Sequence, residues 1–140
     1  MYNATKYLRL SYTSDKANES DSIANQRKYI DEFVIRNPDI KIVNEQVDDG
    51  YSGIVFDRPA FKAMIEDIKS GKINCVIVKD LSRLGREYNE TFTYLRRIFP
   101  ALGVRFIAIN DNIDTAKEAV TGDISVSFKG VMNDEYCRDI

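Results

Sequence analysis

Residues 73–78 read Ile-Asn-Cys-Val-Ile-Val and residues 104–109 read Val-Arg-Phe-Ile-Ala-Ile, two short runs that are almost uninterrupted apolar, broken only by Asn74 and Arg105. Successive side chains of a strand point to opposite faces, so strands of this kind have no face left for water. The two runs fit strands buried on both faces of a parallel sheet.

The rest of the chain supplies the matching elements in alternation. Residues 5–11 read as a first strand, and residues 14–21 as a polar loop. A helix follows from a cap among Ser20–Ser22 to about Arg36, where Asn37-Pro38 stops it. Ile23, Ile30, Phe33 and Val34 form its apolar stripe, and Gln26 falls inside that stripe. Ile40 to Val47 reads as a second strand. The turn-rich loop "DDGYSGIVFDRPAF" then launches a helix at Asp57–Pro59. Phe61, Met64, Ile65 and Ile68 take the i, i+3, i+4, i+7 spacing of a core-facing helix, closed by Ser70-Gly71. After "KDLSRLGRE" comes a helix with Tyr88, Phe92, Leu95, Ile98 and Phe99 on its apolar side, then the strand 104–109 and a polar loop, Asn110 to Thr115. A last amphipathic segment carries Ile124, Phe128, Val131, Met132 and Tyr136, and "EYCRDI" ends it without a cap. The reading is one compact α/β domain, with a largely parallel central sheet and helices on both faces. Its final helix is expected to be cut short.

Three exclusions narrow the chemistry. The chain has no histidine, so Ser-His-Asp and Cys-His catalysis are unavailable, as are histidine metal sites. Its net charge is −2, and its pI of about 5.2 is unlike that of a freestanding nucleic-acid binder. There is no apolar run near membrane-spanning length and no secretory leader pattern. Cys75 and Cys137 have no metal-ligand or redox-motif spacing and suit a reducing cytoplasm, with Cys75 reading as core.

In open α/β sheets, sites gather beyond the carboxyl ends of the strands. Those ends hold Arg9 and Ser11, then Asp48 and Asp49, then Asp80, with Arg58, Arg83 and Arg86 nearby. Arg9 and Ser11 share a strand face, roughly 6–7 Å apart. Arg83 and Arg86 are i, i+3 and point the same way if one helix contains both. Arginine stays charged and presents a planar fork suited to phosphate oxygens, so several of them near one hydroxyl point to a phosphodiester. Each residue also has a plainer use. An arginine on a strand serves in an ion pair, a serine at a strand end caps a turn, and the helix arginines sit in solvent. The acidic pair shapes a turn, and Gln26 is a satisfied core amide.

The motifs "YLRLS", "ESDSIANQ", "DDGYSGIVFDRPAF" and "VKDLSRLGRE", in this order over residues 5–140, resemble the catalytic domain of the serine recombinases, the resolvase–invertase family. The second loop looks most like that of the large serine recombinases of phages and mobile transposons. The resemblance implies DNA strand exchange without a cofactor. Ser11 would attack a backbone phosphate, form a 5′-phosphoseryl link and release a 3′-hydroxyl. Subunits of a tetramer would rotate before religation. It matches Arg9, Arg58, Arg83 and Arg86 to phosphate-binding arginines, and Gln26 and Asp49 to supporting residues. Small resolvases carry aspartate where this chain has Ser82, so Asp80, two residues earlier, is the candidate to orient an arginine or handle protons. A phosphoseryl ester keeps the energy of the broken bond, so neither ATP nor metal is required, and no P-loop is present. The implied partners are double-stranded DNA and further copies of the chain, with most DNA affinity in carboxyl-terminal domains beyond this sequence. Two other readings compete. A receiver-type signalling domain would use Asp80, but it needs an acidic pair where Arg9 and Ser11 stand. In a silent interaction domain the arginines would serve only to bind.

Overall fold

The computed structural model of the chain describes residues 1–10, 22–49, 58–85 and 88–118. Along these residues run β1 (Tyr2–Leu10), α1 (Ile23–Ile35), β2 (Ile40–Asp49), α2 (Pro59–Lys69), β3 (Cys75–Val78) and the one-turn α3 (Leu81–Leu84). Then come α4 (Tyr88–Thr93), a π-helical stretch (Tyr94–Ile98), α5 (Phe99–Ala101), β4 (Arg105–Ala108), a 3-10 turn (Ile109–Asp111), β5 (Ile113–Asp114) and α6 (Thr115–Glu118). The strands form one sheet in the order β2-β1-β3-β4-β5. All neighbours are parallel except β5, which pairs antiparallel with β4 through Ile107–Asp114 and Ala108–Ile113. The polar loop expected at residues 110–115 therefore contains an edge strand. Asn112, at φ 56°, takes the left-handed conformation that asparagine tolerates, and turns the chain back.

The doubly apolar strands are buried as their composition requires. On one face Cys75 and Ile77 of β3 pack with Ala4, Leu8 and Ile107, under Ile30 of α1. On the other, Val76 and Val78 pack with Tyr7, with Phe61, Met64 and Ile68 of α2, and with Leu95 and Phe99. Burial pushes the Cys75 thiol up to about 12, which leaves it inert as a nucleophile. Helix α1 starts where a serine cap was expected: Ser22 Oγ accepts from the Asn25 N–H at 3.0 Å. Gly71 follows α2 at φ 82°, as a helix-terminating glycine should.

One irregularity decides what faces the site. The β1–β2 register jumps between Ala4, opposite Ile42, and Thr5, opposite Asn44, which leaves Val43 as an extra residue in β2. A bulge reverses the alternation of everything beyond it. Before it, Ile40 and Ile42 point toward α1; after it, Val47 does. Asn44 and Asp48 are thereby turned to the α2 side, where Asn44 donates to Asp67 at 3.0 Å and accepts from the Thr5 hydroxyl.

At the amino pole of the sheet, Arg105 donates to both carboxylate oxygens of Asp114, at 2.9 and 2.6 Å, and to Asp39 at 3.2 Å. The paired carboxylate raises the guanidinium's pKa, and the guanidinium lies over the Tyr2 ring. Both members of the pair are buried. Removing one partner of such a pair strands the other charge. Asp114→Ala is therefore expected to cost about 3 kcal/mol, the low end for a buried pair because Asp39 still faces Arg105. Urea unfolding at neutral pH measures it.

Candidate active site

At the opposite pole, β1 carries Tyr7 and Arg9 on the face that looks toward α2, since residues two apart on a strand share a face. Arg9 is wholly buried. Its Nε donates to the Arg83 carbonyl at 3.2 Å and its Nη2 to the Ser82 carbonyl at 2.6 Å. Arg58, also wholly buried, arrives from the start of α2. Its Nη1 donates to the same Arg83 carbonyl at 3.3 Å and its Nη2 to the Leu84 carbonyl at 2.6 Å. Arg83 completes the group by donating from Nη1 to the Arg9 carbonyl at 3.3 Å. Two guanidiniums, from β1 and from the cap of α2, thus meet around the consecutive carbonyls of Ser82, Arg83 and Leu84, and the Arg83 guanidinium, from α3, joins them at the Arg9 carbonyl. A single carbonyl oxygen, that of Arg83, holds two of the cations close together.

The backbone beneath them is held by side chains. Beyond Lys6 the β1–β3 ladder ends, and there the Gln26 amide takes the place of a strand. Gln26 Oε1 accepts from the Arg9 N–H at 3.3 Å, and Gln26 Nε2 donates to the Arg9 carbonyl at 3.1 Å. That satisfies the polar group on the apolar stripe of α1.

Helix α2 has Arg58 at its cap position and no capping side chain of its own. Asp48 supplies the cap from β2. It accepts from the Ala60 N–H at 2.9 Å, the Phe61 N–H at 3.0 Å and the Tyr7 hydroxyl at 2.8 Å. The Arg58 guanidinium lies over the Phe61 ring at 4.9 Å and the Tyr7 ring at 5.6 Å. Burial lowers the pKa of Arg58, and the neighbouring Tyr7 and Asp48 oppose that shift. Burial also pushes the Tyr7 phenol up, so it stays a hydrogen-bond donor.

Asp80 bonds the Ser82 hydroxyl, and its Oδ1 lies 3.5 Å from Arg83 Nε. The Leu81 N–H, at the start of α3, donates to Asp111 at 2.7 Å.

Of the residues singled out in the sequence, Arg9, Gln26, Arg58, Asp80 and Arg83 lie in this cluster or against it. Ser11, next in the chain after Leu10, and Arg86 lie outside the described residues. Asp49 is exposed, whereas its neighbour Asp48 is buried, because the bulge at Val43 turns Asp48 inward. The helix that carries Arg83, α3, ends at Leu84, and Gly85 after it is extended, at φ 171° and ψ 162°. Tyr7 and Asp111 were not read as site residues. Tyr7 had a signal, its place two residues before Arg9 on the same strand face, whereas Asp111 sits in a turn whose return toward α3 no local pattern announces.

Among the described residues no group of three or more His, Cys, Asp or Glu side chains is placed to hold a metal ion. No helix among them is long and apolar enough to cross a membrane.

No curated protein matches the chain significantly. Solved structures do. A resolvase-family site-specific recombinase from Streptococcus pneumoniae is 29% identical, with a TM-score of 0.69 over 99% of this chain and 97% of that one. A serine recombinase from Sulfolobus solfataricus is 25% identical, with a TM-score of 0.61 over 90% of this chain and 80% of that one. The N-terminal catalytic domain of TP901-1 integrase, at 24% identity, shares the fold with a TM-score of 0.76 over 98% of this chain and 97% of that one. The family model "Resolvase, N terminal domain" matches residues 4–140. With its fold and nearly all of its length accounted for in this way, the chain belongs to the resolvase family, as a serine recombinase catalytic domain.

Proposed function

We propose that the chain catalyses the cleavage and rejoining steps of site-specific recombination on double-stranded DNA, with Ser11 as nucleophile. The serine hydroxyl loses its proton and bonds to the phosphorus. The 3′ oxygen leaves and takes up a proton, and the 5′ end stays on the protein as a phosphoserine. One ester replaces another, so the reverse attack by the 3′-hydroxyl rejoins the strand without an added energy source.

The observation that carries this reading is the meeting of Arg9, Arg58 and Arg83 beside the end of β1, two residues before a serine, in a chain of the resolvase family. Prearranged guanidiniums stabilise the charge that builds on phosphate oxygens in the transition state. Arg86 adds a fourth in this reading, Gln26 fixes the backbone of Arg9, and Asp80 orients Arg83. No cofactor is invoked. Copies of the chain are expected to assemble as dimers and, on paired DNA sites, as tetramers, in the cytoplasm where the DNA lies.

The test is to trap the protein on a nicked target duplex, digest the adduct and locate the linked residue by mass spectrometry. A nucleotide phosphate on Ser11 supports the proposal. Its appearance on any other residue, or an adduct that persists in Ser11→Ala, overturns it.

A further inference from the structure

We infer that Asp48 is a positioning residue that sets Arg58 for the transferring phosphate, an inference that rests on the reading just proposed. Asp48 has three acceptor contacts and is almost wholly buried, yet it touches none of the described arginine donors through a hydrogen bond. Its contacts lie instead on the groups that bracket Arg58. It holds the Ala60 and Phe61 amides that begin α2, and so fixes where the chain leaves Arg58. It also holds the Tyr7 hydroxyl, and so fixes the ring that faces the Arg58 guanidinium together with Phe61. Tyr7 and Phe61 meet edge to face at 5.7 Å, so the two rings and the carboxylate form one closed unit. The unit exists because of the Val43 bulge; without it residue 48 would point to the α1 face.

Negative charge at this point does two things. It caps a helix amino terminus, where anions are favoured. It also faces the buried guanidinium of Arg58, whose charge it supports. Asp48→Asn removes the charge and one acceptor oxygen: the remaining amide oxygen can still accept from the Phe61 N–H and the Tyr7 hydroxyl, and the Ala60 N–H loses its acceptor. Tyr7→Phe is the companion variant, because it removes only the hydroxyl that Asp48 holds.

Two readouts test the inference on the full chain. In single-turnover adduct formation on a nicked duplex, Asp48→Asn is expected to slow the reaction about tenfold, the usual size of an effect on an orienting partner. DNA affinity is expected to stay within about twofold, because the DNA-contacting groups are intact. In an Arg58→Lys background the same substitution is expected to change the rate less than about twofold, because residues acting as a unit are not additive. The second readout is the Arg58 Nε–H signal in arginine-labelled NMR spectra, which the two facing rings are expected to displace. Asp48→Asn and Tyr7→Phe should both move it toward the position of a solvated arginine. If Arg58→Lys forms too little adduct to time, the NMR signal decides. A tenfold loss in both backgrounds, or an Arg58 signal unmoved in both variants, overturns the inference. Should Ser11→Ala still link DNA, the enzymatic reading falls while the NMR result on Arg58 stands apart from it.

Discussion

Arg58→Met is expected to slow covalent DNA cleavage by about 10²–10³-fold, the range for removing one prearranged donor from a transition-state site, while leaving the fold close to wild-type stability. The two halves of this result have separate causes. Cleavage in the proposed mechanism needs a fixed positive fork, and methionine has none. Stability turns on two opposed quantities. The buried guanidinium is charged at a place where burial disfavours charge, as its lowered pKa reports. Replacing buried charge by an apolar side chain of similar volume returns about 1–4 kcal/mol in favourable cases. Against that, the Leu84 carbonyl loses its 2.6 Å donor and the Arg83 carbonyl loses one of two, at about 1–3 kcal/mol for a stranded buried acceptor. Methionine's sulfur also packs well against the Phe61 and Tyr7 rings that flank this position. The sum is near zero, within about 2 kcal/mol either way. Adduct formation and thermal unfolding of the same preparation check both halves. A variant that unfolds before it can be assayed would place Arg58 in the scaffold. One that cleaves at the wild-type rate would remove it from the chemistry.

This separation of fold from site also explains how much could be read from residue order. The spacing of Phe61, Met64, Ile65 and Ile68 marks a helix and its buried side without further information, because a period of 3.6 has one reading at that length. The consecutive apolar residues of β3 and β4 fix a covered parallel sheet for the same kind of reason. Gln26 could be placed on the apolar stripe of α1, but its partner could not be named. The partner is the backbone of Arg9, at a point where the sheet ladder has stopped, and only the three-dimensional end of β3 shows that. Asp48 and Asp49 mark the limit most clearly. Two adjacent carboxylates on a strand point to opposite faces, and choosing between them needs the phase of the alternation. The bulge at Val43 shifts that phase by one, and nothing in the residues around Val43 announces a bulge. β5 was invisible for a simpler reason, since two residues cannot display a period.

Phe61→Ala is expected to cost about 3–5 kcal/mol, the range for deleting a buried aromatic side chain, and to lower the melting temperature on the order of 10–15 °C. Phe61 is the hub of an aromatic group: its ring meets Tyr7 at 5.7 Å and Tyr94 at 5.1 Å, both edge to face, and it lies under Arg58 at 4.9 Å. Each such aromatic pair contributes about 0.5–1.5 kcal/mol beyond area burial. The ring also spans the sheet side, through Tyr7, and the helical side, through Tyr94, so the space it leaves cannot close by moving one element. Exposed Leu102 is the control: its replacement by alanine should shift stability by no more than about 0.5 kcal/mol. Phe61→Leu sharpens the test, because it refills most of the volume while removing the ring face beneath Arg58. If stability alone governed activity, Phe61→Leu would recover cleavage in step with its melting temperature. If the ring also sets Arg58, cleavage measured well below both melting transitions should stay reduced after the stability has largely returned.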